Sequence, residues 1–260
     1  PPKNSELIEK YYLKDGSEVN IFKVPNFIRP LYFVLSKEFF LSEEKYSLLT
    51  EARSLLIERG LTEMESRDLE LIRRGFLERA RNLLKEIMIR KKITVSPKEL
   101  EELAEILVRY TVGFGVLEIL LADERIQDIY INAPVGKFPV FINHADYGEC
   151  ETNLIVTQEE AESWATRFRL YSGRPLDESN PVLDTEITLP FGRARVTAVT
   201  RTLSSAGLGY AFRRHRESPW TLPLFIKVKY FNPLFAGLMS FIIDGGRAVL
   251  VAGGRGSGKT

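Results

Sequence analysis

The sequence is poor in the residues that build metal centres and nucleophilic triads. It has one cysteine, Cys150, and two histidines, His144 and His215. A single cysteine excludes an intrachain disulfide and fits a reducing compartment. One Cys with two His excludes an ordinary Cys/His zinc site. Neither histidine has a visible Ser or Asp partner of the kind a catalytic triad needs. Long apolar runs are also missing: the densest, Leu234–Ile243, is about half a membrane span, so no transmembrane helix is expected. Neither sign of charge is in excess. Lys plus Arg number 36 against 35 Asp plus Glu, a net charge of +1. A general pull toward nucleic acid or anionic lipid is therefore not expected, local basic patches aside. What is present is core-forming material: 44% of the 260 residues are hydrophobic and 27% are charged. That composition excludes disordered, collagen-like and low-complexity chains. The start, Pro1-Pro2-Lys3-Asn4, has neither Met nor a signal-peptide pattern, and the end, Gly-Ser-Gly-Lys-Thr, stops inside a motif. A piece of a longer protein is expected.

Residues 1–41 are mixed, with prolines at 25 and 30, and predict short strands or irregular extended segments. Residues 42–113 predict helices. Ser42 reads as an N-cap before a stripe of Tyr46, Leu49, Ala52 and Leu56. Leu69, Ile72, Phe76, Ala80, Leu83 and Ile87 recur at helical spacing, with Thr62 and Glu65 as a capping box before them. Ser96-Pro97-Lys98-Glu99 is a second capping box with Pro at the first helical position. Leu100, Leu103, Leu107 and Tyr110 then share a face. From about Gly115 the pattern changes to strands at Ile126–Asn132, Pro139–Asn143, Ala194–Thr200 and Gly209–Arg213. Between them, Thr157 and Glu160 cap a helix presenting Ala161, Trp164, Phe168 and Tyr171, closed by Gly173. His215–Pro223 has few apolar anchors and two prolines, so it reads as a hinge. A helix capped by Asn232 follows.

The expected organisation is a mostly helical domain at 1–113 and an α+β, PAS-like domain at 114–216. A hinge linker at 217–223 follows, then at 224–260 the start of an α/β core of RecA-like type. The α+β N-terminal region thus combines a helical subdomain with an α/β domain.

Ala248-Val-Leu-Val-Ala252 is a continuous apolar run, as in a strand buried on both faces of a parallel sheet. It leads into Gly253-Gly254-Arg255-Gly256-Ser257-Gly258-Lys259-Thr260, which matches G-x-x-x-x-G-K-[ST], the phosphate-binding loop of P-loop NTPases. The residue types fit that chemistry. Glycines let successive backbone N–H groups converge on phosphate oxygens. Lys259 would bring a point charge to the β- and γ-phosphates of ATP, and the Thr260 hydroxyl would ligate Mg²⁺. A chance match in a chain of this length has odds on the order of one in a hundred. Arg255 either points to solvent at the loop tip or adds charge at the mouth of the nucleotide site.

The residues before this loop carry a further resemblance. Leu121-Ala-Asp-Glu-Arg-Ile-Gln-Asp-Ile-Tyr-Ile-Asn132, Arg174-Pro-Leu-Asp177, Asn180-Pro-Val-Leu-Asp184, Leu189-Pro-Phe-Gly-Arg-Ala-Arg-Val-Thr197 and Ala211-Phe-Arg-Arg214 occur in that order. The series resembles the GspE/PilT-like secretion ATPase superfamily over about residues 100–260. The helices before residue 100 are similar to the extra N-terminal domain of some members, archaeal ones included. The resemblance implies a motor for protein secretion or for pilus or archaeal filament assembly, with ATP and Mg²⁺ as cofactors. It implies a homo-hexamer on the cytoplasmic side of a membrane platform protein, peripheral to the membrane, with no nucleic-acid partner. It also implies that arginines of the domain before the hinge close on the phosphates. The matching positions are Arg195 and Arg213, with Arg193, Arg201 and Arg214 near enough to compete. A guanidinium there would stabilise charge on a transferring phosphoryl group. The acidic Walker B residue and the catalytic Glu would lie beyond Thr260, so this segment alone is expected not to hydrolyse ATP. The alternative is a nucleotide-binding module that recruits a partner through residues 1–113 with little turnover.

Weaker signals have plain readings. Trp164 is expected in the core, Trp220 at a lobe interface, and Cys150 half-buried. Asp177, Glu178 and Asp184 read as loop surface, and Arg90-Lys91-Lys92 as a helix end.

Overall fold

The structure is a computed structural model that describes residues 2–58, 69–190, 192–216 and 220–254. The chain divides into two compact units, residues 1–215 and 216–260. The boundary expected at 113/114 thus falls inside the first unit.

That unit is built on one nine-stranded sheet. In chain order its elements are β1 (Glu6–Tyr12), β2 (Glu18–Lys23), β3 (Leu31–Leu35), α1 (Glu43–Glu58), α2 (Leu69–Lys91), α3 (Pro97–Thr111) and α4 (Val116–Leu121). Then come β4 (Ile126–Ile131), β5 (Phe141–His144), β6 (Gly148–Thr152), α5 (Gln158–Ser172), β7 (Val182–Leu189), β8 (Gly192–Val199) and β9 (Gly209–Arg214). The strand order is β1-β2-β3-β6-β5-β4-β9-β8-β7. Every pairing is antiparallel except β3 with β6.

The helix ends follow the sequence signals. Ser96 accepts the Glu99 N–H and Glu99 answers on the Ser96 N–H; Thr157 and Glu160 do the same at the start of α5. Gly173 ends α5 at φ 67, a left-handed conformation that favours glycine. The Thr62/Glu65 capping box lies outside the described residues. The helical faces pack largely as their spacing predicts. Leu49, Ala52, Leu56, Phe76, Ala80, Leu83, Ile87, Leu103 and Leu107 share a core between α1, α2 and α3. Tyr46 is the exception; it is exposed, and Leu48 takes the buried place. Trp164 and Phe168 of α5 lie in the second core, against Tyr210 and Phe212 of β9. Cys150 is fully buried in that core rather than half-buried.

Three buried or part-buried arginines bind the helical layer to the sheet layer. Arg73 of α2 grips Glu118 of α4 through two N–H···O bonds of 2.6 and 3.0 Å, and Glu118 also accepts the Phe114 N–H. Arg109 of α3 reaches Asp15, in the β1–β2 turn, and Glu38. Arg167 of α5 donates to the carbonyls of Thr111 and Gly113, just where α3 ends. Carbonyls at a helix C-terminus have no intrahelical partner, so a guanidinium there satisfies them.

The β1–β3 strands join the rest of the sheet at the short β3–β6 seam, Leu31 to Glu151 and Tyr32 to Thr152. Where β6 stops, the Asn153 side-chain amide continues the ladder, accepting from the Val34 N–H and donating to the Val34 carbonyl. A buried polar cluster backs the seam. Asp123 accepts the hydroxyls of Tyr11 (2.6 Å) and Tyr32 (2.9 Å) and the Arg125 N–H. His144 Nε2 lies 3.1 Å from the Tyr11 hydroxyl, and its Nδ1 accepts the Asp146 N–H. That hydroxyl already donates to Asp123, so Nε2 carries the proton and the ring is neutral. Burial holds the His144 pKa below its ordinary value.

The second unit contains α6 (Leu222–Lys227) and α7 (Pro233–Asp244). Thr221 caps α6 and Asn232 caps α7. Trp220 stacks on Phe225 at 4.8 Å, with the Arg216 guanidinium 4.1 Å from its ring centre. The strand expected at Ala248–Ala252 does not form; these residues carry neither helix nor strand, and Leu250 is exposed. A strand of a parallel sheet needs neighbours to hydrogen-bond, and the described residues of this unit supply none.

Two stability predictions follow from the polar contacts. Arg73→Ala leaves a carboxylate with 2% side-chain exposure without its cation, and should cost about 3–5 kcal/mol in chemical denaturation. For His144 the unfolded state binds the extra proton, because the folded pKa is depressed. Its contribution is complete above the unfolded value of about 6.5 and is lost as pH falls from there toward the folded pKa. His144→Gln should therefore flatten the melting temperature against pH below about 6.5, relative to the unsubstituted protein.

Candidate functional site

Strands β8 and β9 alternate strictly. Ala194, Val196, Ala198, Tyr210 and Phe212 face the core, whereas Arg193, Arg195 and Arg213 face the opposite, open side. The period of two puts successive residues on opposite faces. Register then sets the neighbours. Glu186 of β7 pairs with Arg195, Arg195 with Arg213, and Arg213 with Asp128 of β4. Four charged residues thus form one row across four strands, with directly opposed side chains about 5 Å apart at Cβ. Gly192 opens β8 because a Cβ there would lie 2.6 Å from the Leu121 carbonyl oxygen; this close approach of α4 fixes where β8 begins.

Each arginine on this face has a carboxylate. Arg195 Nε donates to Asp184 Oδ1 at 3.1 Å and its Nη2 donates to Oδ2. The Thr197 hydroxyl also donates to Asp184 Oδ1 at 3.1 Å. The Arg195 guanidinium holds the Asp184 carboxyl below the usual carboxylate range, with Thr197 adding to the effect. Arg213 donates from Nε to Asp128 Oδ1 at 3.0 Å. Arg193 lies 3.6 Å from Glu186, and His215 Nε2 lies 3.6 Å from the same carboxylate. The side chains of Arg195 and Arg213 are 60% and 73% exposed, so both guanidiniums are open to a ligand.

The other arginine candidates differ. Arg214 points to the core side, is 8% exposed, and donates to the carbonyls of Leu121 and His215. Arg201 sits exposed in the turn after β8. Gly253 and Gly254 are described, in a stretch without helix or strand. Arg255, Gly256, Ser257, Gly258, Lys259 and Thr260 lie outside the described residues. Among the described residues, no group of three or more His, Cys, Asp or Glu is placed to hold a metal, and no helix is long and apolar enough to cross a membrane.

Sequence reasoning missed the acidic partners. Asp184 was expected on a loop, yet it lies in β7, and Asp128 was not singled out. The signal was present in the alternation of Leu183, Ile187 and Leu189 with Asp184, Glu186 and Thr188, which marks a strand with one polar face. Asp177 and Glu178 do lie in a loop, where Asp177 accepts the N–H groups of Ser179 and Asn180.

Comparison with known proteins places relatives in both archaea and bacteria. An uncharacterized protein of Methanocaldococcus jannaschii is 30% identical over 154 residues, 56% of this chain and 20% of that protein. Another from the same organism is 31% identical over 122 residues, 46% of this chain and 47% of that protein. A Mycobacterium tuberculosis protein, whose name assigns it provisionally to conjugal transfer, is 29% identical over 152 residues, 57% of this chain and 42% of that protein. The chain thus spans less than half the length of each of these relatives. Among solved structures, the VirB11 ATPase of the Brucella suis type IV secretion system, in complex with sulphate, matches 50% of this chain and 40% of that chain. The identity there is 21% and the TM-score 0.36. No protein-family model matches.

The geometry separates surface from structural arginines. Arg214→Ala strands a buried carbonyl and should cost about 1–3 kcal/mol. Arg195→Ala should leave the unfolding midpoint unchanged within error, as read by urea denaturation, whereas Arg213→Ala leaves the buried Asp128 carboxylate without its cation and should lower that midpoint.

Proposed function

We propose that this chain is part of an ATP-driven subunit in a secretion system of the type IV kind, within the GspE/PilT-like superfamily that its sequence resembles. The observation that carries this reading is the Gly253–Thr260 motif directly after an apolar run. The name of the Mycobacterium tuberculosis relative supports it. In this reading residues 224–260 begin a RecA-like core. The backbone amides of Gly253, Gly254, Arg255, Gly256, Ser257 and Gly258 and the ammonium of Lys259 would hold ATP, and the Thr260 hydroxyl would hold its Mg²⁺. The metal supplies Lewis-acid stabilisation of phosphate charge when bound. The residue types fit: a glycine-rich run, a lysine and a threonine hydroxyl suit a polyphosphate with its metal.

Arg195 and Arg213 would supply guanidiniums to the phosphates from the open face of the sheet, a role that suits their exposure. The subunit would work as a homo-hexamer at the cytoplasmic side of a membrane platform protein. The N-terminal helices α1–α3, locked to the sheet by Arg73, Arg109 and Arg167, would move with it as one body.

The test is Mg²⁺-dependent ATP hydrolysis combined with mass measurement on the full-length protein. Turnover by a particle of six subunits, abolished by Lys259→Ala, is the expected result. Residues 1–260 alone should show no hydrolysis. A full-length protein that binds ATP without turning it over would replace the motor with a partner-recruiting module.

A further inference from the structure

The two arginines assigned to the phosphates are not held alike. Arg195 presents its Nε–Nη2 edge to Asp184, with both carboxylate oxygens engaged. That edge is the fork by which a guanidinium binds a phosphate with two parallel bonds. Arg213 engages Asp128 through Nε alone, and its side chain is the more exposed of the two. The carboxylate of Asp184 is itself fixed. Thr197, directly opposite on β8, donates to Oδ1, and the Arg174 guanidinium binds the Asp184 carbonyl. The acid is therefore a rigid element and the arginine its mobile partner.

We propose that Asp184 is a latch on Arg195. Its carboxylate occupies the bidentate edge of the guanidinium, and an incoming polyphosphate has to displace it. Arg213 is tethered at one nitrogen only, whereas Arg195 engages a phosphate only when the phosphate outcompetes Asp184. The exchange swaps one anion for another on the same cation. A phosphate is a natural competitor, because it carries more charge than a carboxylate and offers more acceptor oxygens. An exposed ion pair of this kind contributes little to stability, so opening it leaves the fold intact. Asp184 is thus a positioning residue that acts through Arg195. The inference rests on the proposed role of Arg195 at the phosphates.

The experiment compares Asp184→Asn, Arg195→Ala, Arg213→Ala and the Asp184→Asn/Arg195→Ala double variant of the full-length protein. ATP is the probe, with KM and kcat measured separately and binding measured by calorimetry. Asp184→Asn should lower the KM and the dissociation constant for ATP by roughly two- to five-fold with kcat little changed. A merely structural role for the acid would not tighten binding. The double variant should match Arg195→Ala, because the acid acts only through that arginine. If Asp184→Asn weakens ATP binding, or leaves it unchanged while Arg195→Ala alters it, the latch is overturned and the arginine reading stands. If Arg195→Ala and Arg213→Ala both leave KM and kcat unaltered, the arginine reading itself falls. Thermal unfolding of each variant separates these outcomes from misfolding; should Asp184→Asn unfold, Thr197→Val loosens the same carboxylate and should lower the KM in the same direction.

Discussion

The alternation of β8 and β9 is the constraint on which the open face depends. Ala194, Val196, Ala198, Tyr210 and Phe212 are buried against α4 and α5, and the residues between them have no choice but to face out. A slip of one residue would drive Arg193, Arg195 and Arg213 into an apolar core. Burying an unpaired guanidinium costs far more than any local gain could return. The hydrophobic core therefore specifies the arginine row as strictly as it specifies itself. Small residues on the inner side of β8 let α4 approach closely, and the approach is tightest at Gly192. The packing of one helix thus sets the register that aligns Glu186, Arg195, Arg213 and Asp128.

A second constraint makes the first unit one body. The helical layer has its own core, and Leu69 of α2 reaches from it into the core of the sheet. What further joins the two is ionic and directional: Arg73 on Glu118, Arg109 on Asp15 and Glu38, and Arg167 on the end of α3. Buried ion pairs of this kind add little net stability compared with apolar replacements, but losing one partner is expensive. They fix geometry more than they add energy. The Tyr11, Tyr32, Asp123 and His144 cluster does the same for β1–β3, where the β3–β6 ladder is only two pairs long.

Much of this was legible in the sequence, and the limits are physical. Capping boxes at Ser96 and Thr157 are local, involving residues three apart, and they appear as read. The faces of α2, α3 and α5 follow from periodicity alone. Tyr46 fits the same period as Leu49 and Leu56 yet is exposed, because spacing defines a stripe but not its edges. The membership of β1–β3 in the large sheet was not legible. It depends on contacts such as Tyr11 with Asp123 and Val34 with Asn153, between residues more than a hundred apart in the chain. The apolar run at Ala248–Ala252 marks the opposite limit: a sequence suited to a buried strand is irregular where, among the described residues, no strand lies beside it to pair with. Arg195 and Arg213 were singled out through resemblance. Their carboxylate partners were not recognised as such, because Asp184 and Asp128 meet them only through strand register.

That last point bears on how net charge should be read. A balance of 36 basic and 35 acidic residues argues against a broad electrostatic attraction to polyanions. It does not argue against a phosphate site. The open face shows how balance arises: three arginines and three carboxylates interleave on adjacent strands, so the face has no large field at long range. A phosphate arriving within hydrogen-bond distance meets individual guanidiniums rather than a charged surface. It gains from each only what it offers beyond the carboxylate already in place. In the reading proposed for Arg195 and Arg213, selectivity on such a face would come from displacement, because an anion with several acceptor oxygens and more than one charge competes better for a guanidinium than a single carboxylate does.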